Sequence, residues 1–215
     1  RLEDNVALQQ ALSKYDSVAC IYIFEKDFLK NLKKKDLTMD FLYKAISNLK
    51  NELRALGSDL IIKLGDHTVE IPNIAKKFGV NAIVTNKLSS SKEVLKEDLI
   101  EKKLFYDDIS FFSYKDNVIF SPEDLLDEDG NYFSDFSTYR DIWNATIKNE
   151  DIKPVFITNK SKLAKFKSND MPKLEQFGFI TSNLSEKMKV SPSGAWEQFL
   201  KFKDKAKRYI SVKEL

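Results

Sequence analysis

The stretch SDLIIKLGDHTVEIPNIAKKFGVNAIVTN, residues 58–86, decides the fold class. It opens on one apolar run, SDLIIKLG at 58–65, and closes on another, NAIVTN at 81–86. Between them, VEIPNIAKKFG at 69–79 reads as a helix that ends at Gly79. Strand, helix and strand joined by short connections are the unit of a parallel sheet with helices on its faces. The alternation continues in both directions. Upstream, Asp4 and Asn5 are capping residues ahead of Ala7, Leu8, Ala11 and Leu12, so 4–14 reads as a helix. SVACIYIF then begins a strand over 18–25, apolar enough to be buried on both faces. Residues 37–57 form a long amphipathic helix whose apolar stripe is Phe41, Leu42, Ala45, Ile46, Leu49, Leu53 and Leu56. Downstream, 90–104 is a helix with interleaved charges, and ISFFSY and NVIF are short β segments.

From residue 121 the pattern changes. SPEDLLDEDGNYFSDFSTYRDIW holds a helical turn, then Asp-Gly-Asn turn chemistry, then an aromatic-rich run. Residues 149–190 lack periodicity and contain Pro154 and Pro172, so they read as a long connector over the surface. Helical spacing returns at 193–209.

Composition narrows the function classes. The 215 residues carry 35 Lys+Arg against 33 Asp+Glu, a net charge of +2, which gives no electrostatic case for nucleic acid. The basic runs KNLKKKD at 30–36 and KSKLAKFK at 160–167 read as solvated faces. One cysteine, Cys20, rules out a disulfide within the chain and fits a reducing cytoplasm. Its place in an apolar strand makes it an inert thiol. No apolar run approaches the roughly 18–20 residues of a membrane span. A cytoplasmic protein without membrane contact is expected.

Ligands of parallel sheets bind beyond the carboxyl ends of the strands, here the loops after Phe24, Leu64 and Asn86. None of these loops holds GxGxxG or GxxxxGK[ST], which disfavours dinucleotide and P-loop chemistry. The single histidine, His67, has no second metal ligand and no nucleophile partner, so it reads as an exposed residue at a helix start. The pairs Asp107–Asp108 and Glu97–Asp98 are sequence neighbours. On a helix neighbours point about 100° apart, so neither is an acid/base dyad. Tyr132, Phe133, Phe136, Tyr139 and Trp143 read first as packing of the connector, with a wall for a flat ligand as the functional alternative. No catalytic residue and no metal ligand set emerges from the pattern.

Taken in order, several stretches resemble the DNA photolyase/cryptochrome family. RLEDNVAL, residues 1–8, is similar to the second half of the family's RDLR-L-x-DN-x-AL signature through Arg1, Leu2, Asp4, Asn5, Ala7 and Leu8. VACIYIF, residues 41–66, NAIVTN, residues 117–143 and SGAWEQFLKFKDKAKRYI resemble successive family segments. The resemblance implies a Rossmann-like antenna domain over 1–120, an interdomain connector over 121–190, and at 191–215 the start of a helical FAD-binding domain. It also implies that the family's first strand lies upstream of Arg1. The implied activity is that of a deoxyribodipyrimidine photolyase: FAD in the helical domain, light-driven splitting of pyrimidine dimers in damaged DNA, and an antenna folate or deazaflavin. This part alone is expected not to be catalytic, and the whole protein to be a monomer. The resemblance places antenna contacts at Phe24, Glu25, Asn86 and Glu93. It sets Leu32 where folate-binding members carry a His, Lys92 where an Asn precedes the acid, and Glu97–Asp98 in place of an Arg-Asp pair. A cryptochrome-type photoreceptor and a stand-alone nucleotide-binding α/β protein are the alternatives.

Overall fold

The computed structural model describes residues 1–88, 90–182, 184 and 188–206. The elements are α1 (Val6–Lys14), β1 (Cys20–Glu25), α2 (Lys26–Lys30), α3 (Leu37–Ala55), β2 (Leu60–Gly65), α4 (His67–Phe78), β3 (Ala82–Asn86), α5 (Ser91–Phe105), β4 (Ser110–Tyr114), α6 (Phe136–Thr146) and α7 (Pro192–Ala206). Short 3-10 turns lie at Pro122–Asp124, Lys160–Lys162 and Leu174–Phe177. The expected α/β alternation is present. The described strands pair as β1 with β2 and β3 with β4, two two-stranded sheets rather than one continuous sheet. The chain divides into two compact units, Arg1–Ala19 with Gly65–Ala164, and Cys20–Leu64 with Lys165–Leu215.

In the first unit β3 and β4 run parallel, in register from Ala82 opposite Ser110 to Asn86 opposite Tyr114. Their carboxyl ends therefore lie side by side. Ala75, Ile100, Leu104 and Ile109 form a core against which Ile71, Val80, Ile83 and Phe111 pack. Local chemistry sets the helix limits. Asp66 accepts from Thr68 N at 2.7 Å to start α4, and Gly79 ends it at φ +59°. Pro72 lies inside α4 and has no N–H for the carbonyl of Thr68. Lys103 Nζ of α5 donates to that carbonyl instead, at 2.6 Å. NVIF forms no strand. Its backbone bends after Asp116, and Phe120 turns edge-on to Trp143, with centroids 5.9 Å apart. The Asp127–Asn131 turn forms as its residues suggest: Asp127 Oδ1 accepts from Asp129 N and Asn131 N, and Gly130 sits at φ +79°.

In the second unit α3 keeps part of its expected face. Its buried residues are Met39, Asp40, Ile46, Lys50 and Leu53, while Phe41 and Leu56 are exposed. Ile46 and Leu53 of the apolar stripe are buried and Leu42, Ala45 and Leu49 half-buried, and two charged side chains outside the stripe also go inward and find partners there. Lys50 Nζ reaches Asp59 Oδ1 at 2.6 Å, the carbonyl of Leu60 at 2.7 Å and Ser168 Oγ at 2.7 Å. Asp40 pairs with Lys44 at 2.8 Å and accepts from Ser182. Phe24 lies between Tyr22 and Phe177, at 5.0 and 4.6 Å between centroids. The strands are less deeply buried than their composition suggests: only Ile23 and Phe24 of β1 are buried, and every residue of β3 is half-buried.

Candidate functional site

The carboxyl end of the β3–β4 pair is the ligand-facing end that a parallel arrangement dictates. Three side chains converge there on the start of α1. Asn86 Oδ1 accepts from Ala7 N at 2.8 Å, Asp116 Oδ1 from Val6 N at 3.0 Å and Asn5 Oδ1 from Leu8 N at 3.1 Å. Asn86 Nδ2 donates to Asn5 Oδ1 at 3.0 Å, and Arg1 pairs with Asp116 at 2.7 Å. Lys87 N continues the ladder onto Tyr114 O at 2.7 Å. At the other end of α1, Lys14 donates to Tyr114 Oη at 2.7 Å and lies over the Phe112 ring at 5.0 Å.

Ser90 caps α5 through Glu93 N at 3.3 Å, and one turn of helix carries Glu93 and then Glu97. The Glu93 carboxylate is a quarter exposed, with Oε1 held by Lys96 at 3.1 Å. Glu97 points elsewhere: its Oε2 accepts from Ser113 at 2.9 Å and its Oε1 from Leu88 N at 3.4 Å. It therefore fastens the strand-end connection to β4, while Asp98 is exposed. Asp66 is held below the usual carboxylate range by its hydrogen bond to Thr68, against an opposing effect of burial, with Lys96 and His67 adding to the lowering.

Of the four residues expected at an antenna, the first unit brings Asn86 and Glu93 to the same strand end. Asn86 has both polar atoms engaged by α1 and its cap. Phe24 and Glu25 belong to β1 in the second unit. Phe24 is a core residue, 1% exposed, while Glu25 is half-buried and precedes α2. His67 is the first residue of α4, half-buried rather than exposed. Burial pushes the Cys20 thiol up to about 11, so it stays protonated and unreactive near neutral pH. Among the described residues no three His, Cys, Asp or Glu side chains converge as a metal site, and no helix is long and apolar enough to cross a membrane.

Of the aromatic run, Tyr132, Phe133 and Tyr139 line a concavity of about 310 Å³ in the first unit together with Val118, Phe120, Pro122 and Leu125, while Phe136 is exposed and Trp143 packs on Phe120. No charged side chain lines it. Sequence reasoning missed Asp116, whose side chain is 2% exposed. Only its distance of 110 residues from Val6 hides it, because nothing local marks it as a cap.

The family model described as DNA photolyase matches residues 1–161. The blue-light photoreceptor PHR2 of Arabidopsis thaliana is 30% identical over 139 residues, covering 58% of this chain and 31% of the plant protein. A bacterial class III photolyase from Agrobacterium tumefaciens has the same fold over 95% of this chain and 42% of its own, with a TM-score of 0.76 at 19% identity. An archaeal photolyase from Sulfolobus tokodaii, crystallised with two FAD molecules, matches 86% of this chain and 40% of its own, with a TM-score of 0.63 at 25% identity. The chain thus spans less than half the length of each of these relatives.

Proposed function

This chain belongs to the DNA photolyase family, and on that premise we propose that it is the amino-terminal, antenna-bearing part of a DNA photolyase. The observation that carries the proposal is the family match along 1–161, on a fold shared over 95% of the chain with a bacterial photolyase. In this reading 1–120 is the antenna domain and 121–190 the connector. Residues 191–215, of which 207–215 lie outside the described residues, would lead into a helical domain that holds FAD and receives a pyrimidine dimer flipped out of damaged DNA. The exposed Trp196, Phe199, Leu200 and Phe202 of α7 suit a helix that such a domain covers. An antenna folate or deazaflavin supplies light absorption and passes its energy to FAD.

The chain's own residues position and shield. Glu93 offers the most suitable contact, because a carboxylate accepts the N–H groups along the edge of a pterin or deazaflavin ring. Lys96 steadies Oε1, and among the described residues no partner holds Oε2. Phe24 and Asn86 support the scaffold, Phe24 as core and Asn86 as a cap.

The test is repair of a defined cyclobutane dimer in an oligonucleotide by the full-length protein. Restoration under blue light and none in the dark is the expected result. A protein that binds FAD yet repairs nothing would favour the photoreceptor reading, in keeping with the plant relative's name.

A further inference from the structure

A helix start leaves four N–H groups without intrahelical partners, and commonly one of them is taken by the side chain at the helix's own N-cap. The first turn of α1 has three. Its own Asn5 takes Leu8 N, while Asn86, the last residue of β3, takes Ala7 N, and Asp116, two residues past β4, takes Val6 N. The caps are bonded to one another as well. Asn86 Nδ2 donates to Asn5 Oδ1, Asn5 Nδ2 donates to the carbonyl of Arg1 at 3.1 Å, and Arg1 closes on Asp116. Asp4, held at φ +47°, accepts from Val155 N at 2.8 Å and draws the later chain into the same knot. Two of the three acceptors thus belong to the ends of β3 and β4. The connection that leaves Asn86 leads directly into α5 and Glu93.

We propose that Asn86 and Asp116 are positioning residues: by capping α1 jointly they clamp the carboxyl ends of β3 and β4 and so fix how α5 presents Glu93. This rests on the reading of Glu93 as an antenna contact. Asn86 then acts through the amides of α1 and does not touch the chromophore. The segment RLEDN, anchored by the buried Leu2, is the other half of the clamp.

The experiment uses the full-length protein and its Asn86→Ala, Asp116→Ala and Asp116→Asn variants. Amide hydrogen exchange is followed at Val6–Leu8 and across the end of β3 into α5. Binding of the probe 5,10-methenyltetrahydrofolate is measured in parallel. Asp116→Ala is expected to speed exchange at Val6–Leu8 and at the β3 end, and to weaken probe binding by roughly fivefold, the worth of one cap. Asp116→Asn keeps an oxygen for Val6 N and should restore both readouts toward wild type. The proposal is overturned if Asp116→Ala leaves exchange unchanged. It is also overturned if Asp116→Ala frees the amides without altering probe affinity, while Asn86→Ala abolishes binding. That second pattern would make Asn86 a direct ligand contact. If the wild-type protein binds no probe, the folate reading of the antenna fails, and exchange at the β3 end and α5 alone decides the clamp.

Discussion

Each compact unit carries a polar cluster that ties a late segment of chain to an early one, and the two do so with different electrostatics. In the second unit full charges are buried: Lys50 is 2% exposed and Asp59 is fully buried. They hold Ser168 through Lys50 and through Ser168 N, which donates to Asp59 at 2.8 Å. Arg54 extends the network from Asp59 to Asp170. In the first unit the cluster is two neutral amides and one buried carboxylate, Asp116, at the positive end of a helix, and the only full charge paired with it, Arg1, is half-exposed. The buried pair gains from a low local dielectric but has already lost its hydration, so Lys50 depends on Asp59, and Asp59 on Lys50 and Arg54. In the first unit Arg1 keeps about half of its exposure, so that pair depends less on burial, and each bond to the helix amides contributes modestly. Segments pinned by the first kind of cluster should therefore fail abruptly, and those pinned by the second gradually.

Removing one charge of the buried pair is the hardest test of that contrast. Lys50→Ala removes the buried cation and leaves Asp59 with the longer Arg54 contact and two backbone amides, which should cost about 3 kcal/mol in urea unfolding, whereas Lys50→Met combined with Asp59→Leu should recover much of it. A Lys50→Ala protein as stable as wild type would break the comparison.

Acid provides the next test. Burial raises the pKa of Asp59, but hydrogen bonds from Lys50, from the backbone of Ser168 and Leu60, and from Arg54 together hold it well below the usual carboxylate range. A depressed folded-state pKa contributes stability above the unfolded value, and that contribution is lost as pH falls below about 4 toward the folded value. The stability gap between wild type and Asp59→Asn should therefore be widest near neutral pH and narrow from pH 4 to pH 2. A gap that does not change with pH would remove the charge from the explanation.

Smaller effects are expected in the first unit. Asp116→Ala should cost about 1–2 kcal/mol, the range for losing a cap whose amide partner is partly buried. Lys103→Ala should cost at most about 1 kcal/mol, the worth of one hydrogen bond. Its effect should shrink in a Pro72→Ala background, where residue 72 regains an N–H for the carbonyl of Thr68. A double-mutant cycle in thermal unfolding measures that coupling. At the lower end, Lys30→Ala removes only the exposed pair with Asp27 and should change stability by no more than a few tenths of a kcal/mol.

The same contrast explains what was legible in the sequence. Elements set by nearby residues were readable: Asn5 as a cap, Gly79 as a stop, and the alternation from β1 to β4. Features set by distant partners were not. Lys50 falls outside the apolar stripe of α3, yet it is buried because Asp59 and Ser168 meet it, the latter 118 residues away. Asn86 was legible as a strand-end residue but not as a helix cap, because the helix it caps lies 79 residues earlier. NVIF has the composition of a strand, but the bend after Asp116 and the Phe120–Trp143 contact take it out of the sheet. Glu93 was placed by family resemblance rather than by pattern, since a lone carboxylate near a helix start usually only favours the helix dipole.

The most direct measurement is the absorption spectrum of the full-length protein purified in the dark, with its released cofactors identified by mass. Stoichiometric FAD, accompanied by a folate or deazaflavin, is the expected result. A folded, colourless full-length protein that cannot be reconstituted with FAD would contradict the photolyase reading and leave only the shared fold.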